Sequence, residues 1–130
     1  MRYCVCVSGN LGLKVLVRLF NDKVPISCVL TDSKSNDIRM FCDVHMLKVY
    51  VGNPRDHKAI VWINNNDIKA DVIKIGHHGS KSSTTEEFIN AVNPKIAIIQ
   101  VGKNYYGHPH KEVLERLQEK GCKIYRNDIN

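Results

Sequence analysis

Apolar residues follow two alternating patterns along this 130-residue chain. Short runs rich in Val, Ile and Cys are typical of buried strands, whereas longer segments with apolar residues three or four positions apart are typical of helices. Gly, Pro, Asn and Asp separate the two kinds of segment. The pattern predicts strands at residues 2–8, 26–30, 47–51, 71–76, 96–101 and 122–125. It predicts helices at 11–20 and 36–46, and three more that begin at Pro54, after Ser83 or Thr84, and at 109–111.

Helix ends carry their own signals. Asn10 is the expected N-cap of the first helix, whose apolar residues are too numerous for one face, so we expect it to be buried on most sides. Asn53 is the expected N-cap of the third helix, with Pro54 at its first position. Gly121 is expected to cap the fifth helix at its C-terminus.

The order of elements is strand then helix, five times over, followed by a last strand. Near-continuous apolar strands separated by helices predict a parallel sheet that is covered on both faces. We therefore expect a three-layer, doubly wound, Rossmann-like α/β fold with six strands in the order 3-2-1-4-5-6. A chain of this length fits one domain, residues 1–130, by the usual size of roughly 100–200 residues. In this order strands one and four are neighbours, and ligands bind beyond their carboxyl ends.

The fourth strand leads into the most distinctive stretch of the chain, DVIKIGHHGSKSS at residues 71–83. Two further histidines follow the fifth strand in the loop GKNYYGHPH. Imidazole is a good ligand for zinc and for several other divalent metals. We expect these histidines to bind a divalent metal, Zn or Mn, weakly. Adjacent residues of an extended chain point opposite ways, so the side chains of the two neighbouring histidines should face different directions. The metal candidates are His77, His78, His108 and His110. The alternative is that the imidazoles only form hydrogen bonds with the backbone of their loops.

The loops after strands one and four also suggest an anion site. Gly, Ser and Lys ahead of a helix N-terminus offer amides, hydroxyls and an ammonium, which favour phosphate. The alternative is an ordinary capping turn, and a P-loop is excluded because the GxxxxGK[ST] string is absent. A dinucleotide site is disfavoured, since the first loop falls short of GxGxxG. The candidates for binding a phosphate-like anion or a cofactor are Ser8, Gly9, Asn10, Gly79, Ser80 and Lys81.

Charge and cysteine content narrow the expected setting. The net charge is +6, with Lys and Arg spread along the chain, so nucleic acid is possible but is the less favoured partner. The five cysteines have no metal-finger spacing, and Cys4 and Cys6 should share one face of a strand. Reduced cysteines of this kind predict a cytoplasmic protein. No apolar run approaches the ~18 residues of a membrane span, so no membrane partner is expected, and the chain is taken as a monomer or homodimer.

The two halves of the chain resemble two different protein families. Residues 1–63 resemble the amino-terminal half of the formyltransferase domain of sugar N- and methionyl-tRNA formyltransferases, through RYCVCVSGNLGLKVLVRLF, TDSK and LKVYVGNPRD. Residues 67–128 resemble the carboxy-terminal part of the metallo-β-lactamase domain of ComEC/Rec2-type competence proteins, through HHGS and YGHPH in the same order and spacing. Together they predict a chimera or gene fusion whose halves, 1–63 and 67–130, each supply three strands of one sheet.

What these resemblances imply for activity depends on motifs that the chain lacks. The formyltransferase Asn, His and Asp set lies beyond the matching segment, and neither HxHxDH nor a Gly-Asp bridging aspartate occurs. We therefore expect no intact catalytic activity, assign no catalytic residue, and predict a metal- or anion-binding mouth at the ends of strands one, four and five. One alternative is a metal-dependent hydrolase or phosphodiesterase. The other is a DNA-binding competence module, with Tyr105 and Tyr106 as stacking platforms.

Overall fold

The structure, a computed structural model, describes residues 1–129. Strands and helices alternate throughout, as the sequence pattern predicts. The strands are β1 (Tyr3–Cys6), β2 (Ile26–Thr31), β3 (Val49–Val51), β4 (Val72–Lys74), β5 (Ile96–Ile99) and β6 (Lys123–Arg126). The helices are α1 (Gly9–Asn21), α2 (Asn36–Val44), α3 (His57–Asn65), α4 (Glu86–Val92) and α5 (Lys111–Glu119), and a single 3-10 turn spans Gly76–Gly79.

All six strands lie parallel in one sheet, in the order β3-β2-β1-β4-β5-β6. This confirms the predicted doubly wound α/β fold. The two halves of the chain meet where β1 pairs with β4, with Tyr3 opposite Val72 and Val5 opposite Lys74. The Asp71 carboxylate strengthens this seam, because it accepts a hydrogen bond of 2.9 Å from the Arg2 amide. That bond, with Lys95 and Arg2 nearby, lowers the pKa of Asp71.

Two hydrophobic cores lie on opposite faces of the sheet. One face packs α1 and α2 against β1 and β2, through Leu16, Ile38, Val5 and Val29 among others. The other, larger core holds the buried faces of α3, α4 and α5. Cys4 and Cys6 both belong to the larger core, as their spacing predicts, and all five cysteines are buried free thiols.

Several helix boundaries differ from the prediction. Helix α1 begins at Gly9 after Ser8, so Asn10 is not its N-cap, and only Gly12 and Leu16 are buried in it. Leu11 is 59% exposed. The helix is therefore amphipathic and is not buried on most sides as predicted. Helix α3 begins at His57, because the Asn53 side chain accepts the Arg55 amide and forms a separate turn.

The ends of α4 and α5 also shift by one or two residues. Thr85 is the N-cap of α4 and accepts a hydrogen bond from the Phe88 amide. Lys120 is the C-cap of α5, and Gly121 follows it with a φ of +80°. A residue just beyond a helix commonly takes this left-handed conformation, which favours glycine.

Candidate functional site

A cleft of about 560 Å³ opens at the carboxyl ends of the strands, where the winding of the sheet reverses. The loops after β1 to β5 all contribute to its walls. Ser8 from the first loop and His77 and His78 from the fourth line the same cleft. The two halves of the chain thus share one concave surface at the place where doubly wound folds bind ligands.

Lys74 lines this cleft and is more buried than Arg55, the other Lys or Arg side chain in the lining. It is the last residue of β4, and its Nζ donates to the carbonyl oxygens of Cys6 at 3.1 Å and Ile75 at 3.4 Å. Among residues 1–129 no carboxylate forms an ion pair with this ammonium. Burial lowers the pKa of Lys74, and the nearby Cys6 sulfur opposes that shift. An anion in the cleft would therefore stabilise the charged form.

Thr31, a residue that lines the same cleft, has a buried hydroxyl without a hydrogen-bond partner among residues 1–129. Thr31, the last residue of β2, lines the cleft and is 4% exposed. Its Oγ1 has no hydrogen-bond partner within the described chain. An unsatisfied buried hydroxyl costs roughly 1–3 kcal/mol, so a ligand that reached this atom would gain a hydrogen bond and remove that cost.

The N-terminus of α1 points at the cleft, and Leu11 and Gly12 form part of the wall. No acidic side chain lies in its first turn, so the positive end of the helix dipole is not offset there. The first amide is already used, because Gly9 N–H donates to the Ser35 hydroxyl at 3.0 Å. That hydroxyl donates in turn to the Asp32 carboxylate at 2.8 Å. Asp32, the acidic residue that follows β2, is therefore already hydrogen-bonded.

The predicted anion residues are thus divided by the structure. Ser8 lines the cleft, whereas Gly9 serves the Ser35 contact and Asn10 is exposed outside the lining. Ser80 is buried with an unpartnered Oγ, and Lys81 forms an ion pair of 3.5 Å with Glu112. Helix α4 begins only at Glu86, so these residues do not immediately precede its N-terminus. The serines of this loop that do line the cleft are Ser82 and Ser83.

The GHHG turn has an unusual backbone. His77 and His78 take φ values of +48° and +55°, so they are not extended as predicted. Gly79 continues the left-handed turn at +78° and lies against Pro109. Its carbonyl accepts the His110 amide at 2.9 Å. Consecutive left-handed residues cost energy and persist only where neighbouring contacts hold them.

This turn brings three of the four predicted histidines together. The His108 ring lies between His77 and His110, at centroid distances of 5.9 Å and 5.2 Å. His78 points elsewhere, because its Nδ1 lies 2.6 Å from the Gln100 carbonyl. Desolvation and the three other histidines lower the pKa of His108.

The histidines do not fit a catalytic zinc centre. Such a centre takes three protein ligands and a water. In the described part of the chain no group of three or more His, Cys, Asp or Glu side chains is placed to hold a metal. Weak capture of a metal by fewer imidazoles stays a prediction.

The base of the cleft contains a thiol. Cys6 lines it and is 6% exposed. A hydrogen bond from the Cys4 thiol, and the charge of Lys74, lower the pKa of Cys6 against the effect of burial. The Cys4 thiol also lies 3.5 Å from that of Cys28, and its own pKa is raised.

About half of the chain is similar in sequence to competence proteins. The chain is 57% identical over 65 residues to ComE operon protein 3 of Bacillus subtilis, a match that covers 49% of this chain and 8% of that protein. It is 50% identical over 50 residues to Recombination protein 2 of Haemophilus influenzae, covering 38% and 6%. It is 32% identical over 77 residues to Competence protein ComA of Neisseria gonorrhoeae, covering 58% and 11%. No protein-family model matches the chain.

These relatives support a competence-protein relationship and give no support to the formyltransferase resemblance. The chain spans about a tenth or less of each relative, at 8%, 6% and 11%. A chorismate mutase/shikimate 5-dehydrogenase fusion protein from Clostridium acetobutylicum shares the fold, with a TM-score of 0.51 and 15% identity over 95% of this chain and 41% of that one. Within residues 1–129 no helix has the length and apolar character to cross a bilayer.

Sequence analysis missed Lys74 and Thr31. The segment VIKI has the pattern of an apolar run, although a lysine in a central parallel strand is rarely buried unless it is paired. That lysine was the available signal. The sequence gives no sign that the Thr31 hydroxyl lacks a hydrogen-bond partner, because this depends on which groups surround it in the fold.

Proposed function

We propose that the protein is a binding domain whose cleft at the reversal of the sheet takes a phosphate-bearing anion. The observation that carries this proposal is the Lys74 ammonium, which lies in the cleft and whose partners among residues 1–129 are carbonyl oxygens. A partly desolvated charge is costly unless an opposite charge approaches it. Arg55 adds a second cation to the wall, whereas the Asp32 carboxylate is already bonded to the loop that carries it.

Three neutral donors complete the proposed anion site. They are the Thr31 hydroxyl, the Ser8 hydroxyl and the first turn of α1, whose residues Leu11 and Gly12 line the cleft. Donors and a positive helix end around a cation are the features that recognise phosphate. A metal is the less favoured ligand, because among residues 1–129 no three His, Cys, Asp or Glu side chains are placed to hold one, and the Asp32 carboxylate of the cleft is already hydrogen-bonded.

The experiment is an NMR titration with inorganic phosphate. We expect shifts in the loops after β1, β2 and β4, and saturation that weakens at least tenfold in Lys74→Met. Lys69→Met is the matched control, since the Lys69 Nζ also donates to a carbonyl, that of Ala91 at 2.8 Å, but lies outside the cleft. Equal binding by the two variants would refute the proposal.

A second pair of variants tests the unpartnered hydroxyl. Thr31→Val should weaken phosphate binding without lowering the free energy of unfolding, because the lost hydroxyl is unsatisfied in the free protein. Thr84→Val is the control, since Thr84 is also buried but its Oγ1 lies 3.3 Å from the Ser83 hydroxyl. If Thr31→Val binds phosphate like the parent chain, the hydroxyl has no part in recognition.

A second candidate function is binding of single-stranded DNA by the loop after β5. Tyr105 and Tyr106 are 97% and 78% exposed, and the Tyr106 ring stacks on His108 at 5.8 Å. Exposed aromatic rings beside basic side chains stack on bases, and the similarity to competence proteins favours this ligand. Binding of a fluorescent oligonucleotide should weaken with salt and in Tyr105→Ala. No binding at low salt would exclude this function.

A further inference from the structure

One half of the sheet has a face without a helix over it. Helices α1 and α2 pack on β1 and β2 on that side, while α3, α4 and α5 contribute to the core on the other side. Among residues 1–129 no helix lies over β4, β5 and β6 on the α1 side. Ile98 on β5 and Tyr125 on β6 are accordingly both 39% exposed.

A groove of about 520 Å³ follows this open face. One wall is formed by the α1 side chains Val15 and Leu19, and the floor by apolar residues of the sheet. Single exposed apolar residues are common, but a continuous apolar concavity is typical of a ligand site. The floor includes Val72, Ile98 and Tyr125.

The groove and the cleft are adjacent and share part of their lining. Lys74 and Gln100 line both of them. A cation therefore stands at the boundary between a polar cleft and an apolar groove. This arrangement complements a molecule with an anionic head and an apolar chain.

We infer that the cleft and the groove form one site for a phosphate monoester that carries an apolar chain. The phosphate lies against Lys74 and the Thr31 hydroxyl, and the chain lies over Val72 and Ile98 beside α1. The inference rests on the proposed function, to which it adds the chemical class of the ligand. Each methylene buried in the groove should strengthen binding about fourfold.

The test compares n-octyl phosphate, below its micelle concentration, with inorganic phosphate and n-octanol by calorimetry or NMR. We expect octyl phosphate to bind at least about tenfold more tightly than either of the other two, which corresponds to two or more buried methylenes. Ile98→Ser and, separately, Tyr125→Ser should reduce this advantage and leave inorganic phosphate binding unchanged. Val61→Ser is the matched control, because Val61 is 41% exposed on α3 and lies outside both cavities.

Each other outcome overturns the inference in a recognisable way. Equal affinity for octyl and inorganic phosphate would remove the groove from the site and leave the proposed function intact. No binding of either phosphate would remove both proposals. Octanol binding as tightly as octyl phosphate, or octyl phosphate binding unchanged in Lys74→Met, would show apolar adsorption alone. A dimer that Ile98→Ser converts to a monomer would show that a second copy covers the groove.

Discussion

Gly79 and Pro109 lie so close that a β-carbon on Gly79 would be 2.6 Å from the Pro109 Cβ. The contact joins the GHHG turn after β4 to the loop after β5. Gly79 also has a φ of +78°, which disfavours any other residue. This position therefore requires glycine for two separate reasons.

We predict that Gly79→Ala lowers the free energy of unfolding by about 2–5 kcal/mol. About 1–2 kcal/mol comes from the left-handed backbone and about 1–3 kcal/mol from the steric overlap. Gly121→Ala separates the two contributions, because Gly121 has a φ of +80° with no atom within 4 Å of the added β-carbon. That variant should lose only about 1–2 kcal/mol. Urea unfolding measures both, and equal losses would contradict the contact with Pro109.

The second prediction concerns acid sensitivity. The pKa of His108 is lowered in the folded chain, so the unfolded chain binds the proton more readily below pH of about 6.5. The contribution of neutral His108 is complete above that pH, and it is lost as the pH falls from there through the lowered pKa of the folded chain. His108→Gln should therefore reduce the loss of thermal stability between pH 7.5 and 5.5. His57→Gln, on the exposed start of α3, is the control, and an identical pH dependence in His108→Gln and the parent chain would refute the assignment.

The third prediction concerns thiol reactivity. Cys6 lines the cleft and its pKa is lowered, whereas burial raises the pKa of Cys42 to about 11. A thiolate is the reactive form, so Cys6 should be alkylated first in the native protein at pH 7.5. Peptide mass spectrometry after brief treatment with iodoacetamide measures the order. Modification of Cys42 as fast as Cys6 would count against it.

The fourth prediction concerns zinc. The rings of His77 and His110 each lie near that of His108, so a pair of imidazoles could capture a metal. Among the described residues no three His, Cys, Asp or Glu side chains are placed to hold the ion together. We expect weak binding of Zn²⁺ by calorimetry, lost when His77→Ala and His108→Ala are combined. Absence of heat above buffer, or heat that the double variant retains, would remove these histidines as a metal site.

The fifth prediction concerns hydrolysis. Incubation with Mn²⁺ or Zn²⁺ and a chromogenic phosphodiester should give no turnover above buffer. The physical reason is that activation of water by a metal needs a held ion with an open position, and such a site requires several protein ligands. Turnover that His78→Ala abolishes would instead establish the metal-dependent hydrolase.

The order of the strands could be predicted because it depends on local patterns and general rules. Each strand is a short apolar run, each helix has apolar spacing, and parallel connections are right-handed. Those facts place β1 beside β4 without any knowledge of side-chain contacts, whereas the pairing of Tyr3 with Val72 is known only from the structure. The starts of α1 and α3 were misplaced because single capping residues compete with neighbouring turns, as Asn53 shows.

The site was predicted only in part. The position of the cleft follows from the strand order, and Ser8, His77 and His78 line it. The roles of Ser8 in anion binding and of the two histidines in metal binding stay predictions. The left-handed conformation of His77 and His78 has no marker in the sequence, because the contact of Gly79 with Pro109 holds that turn. The sequence pattern also hid Lys74 inside an apolar run.

The sequence by itself determined the parallel sheet and the point where its winding reverses, since periodicity and connection handedness act within short segments. Only the tertiary structure decided which polar groups share the cleft. Lys74 and the Cys6 carbonyl, and Gly79 and Pro109, are separated along the chain and meet through packing. Packing likewise left the β4–β6 face open beside α1, because the later helices all cross on the other side of the sheet.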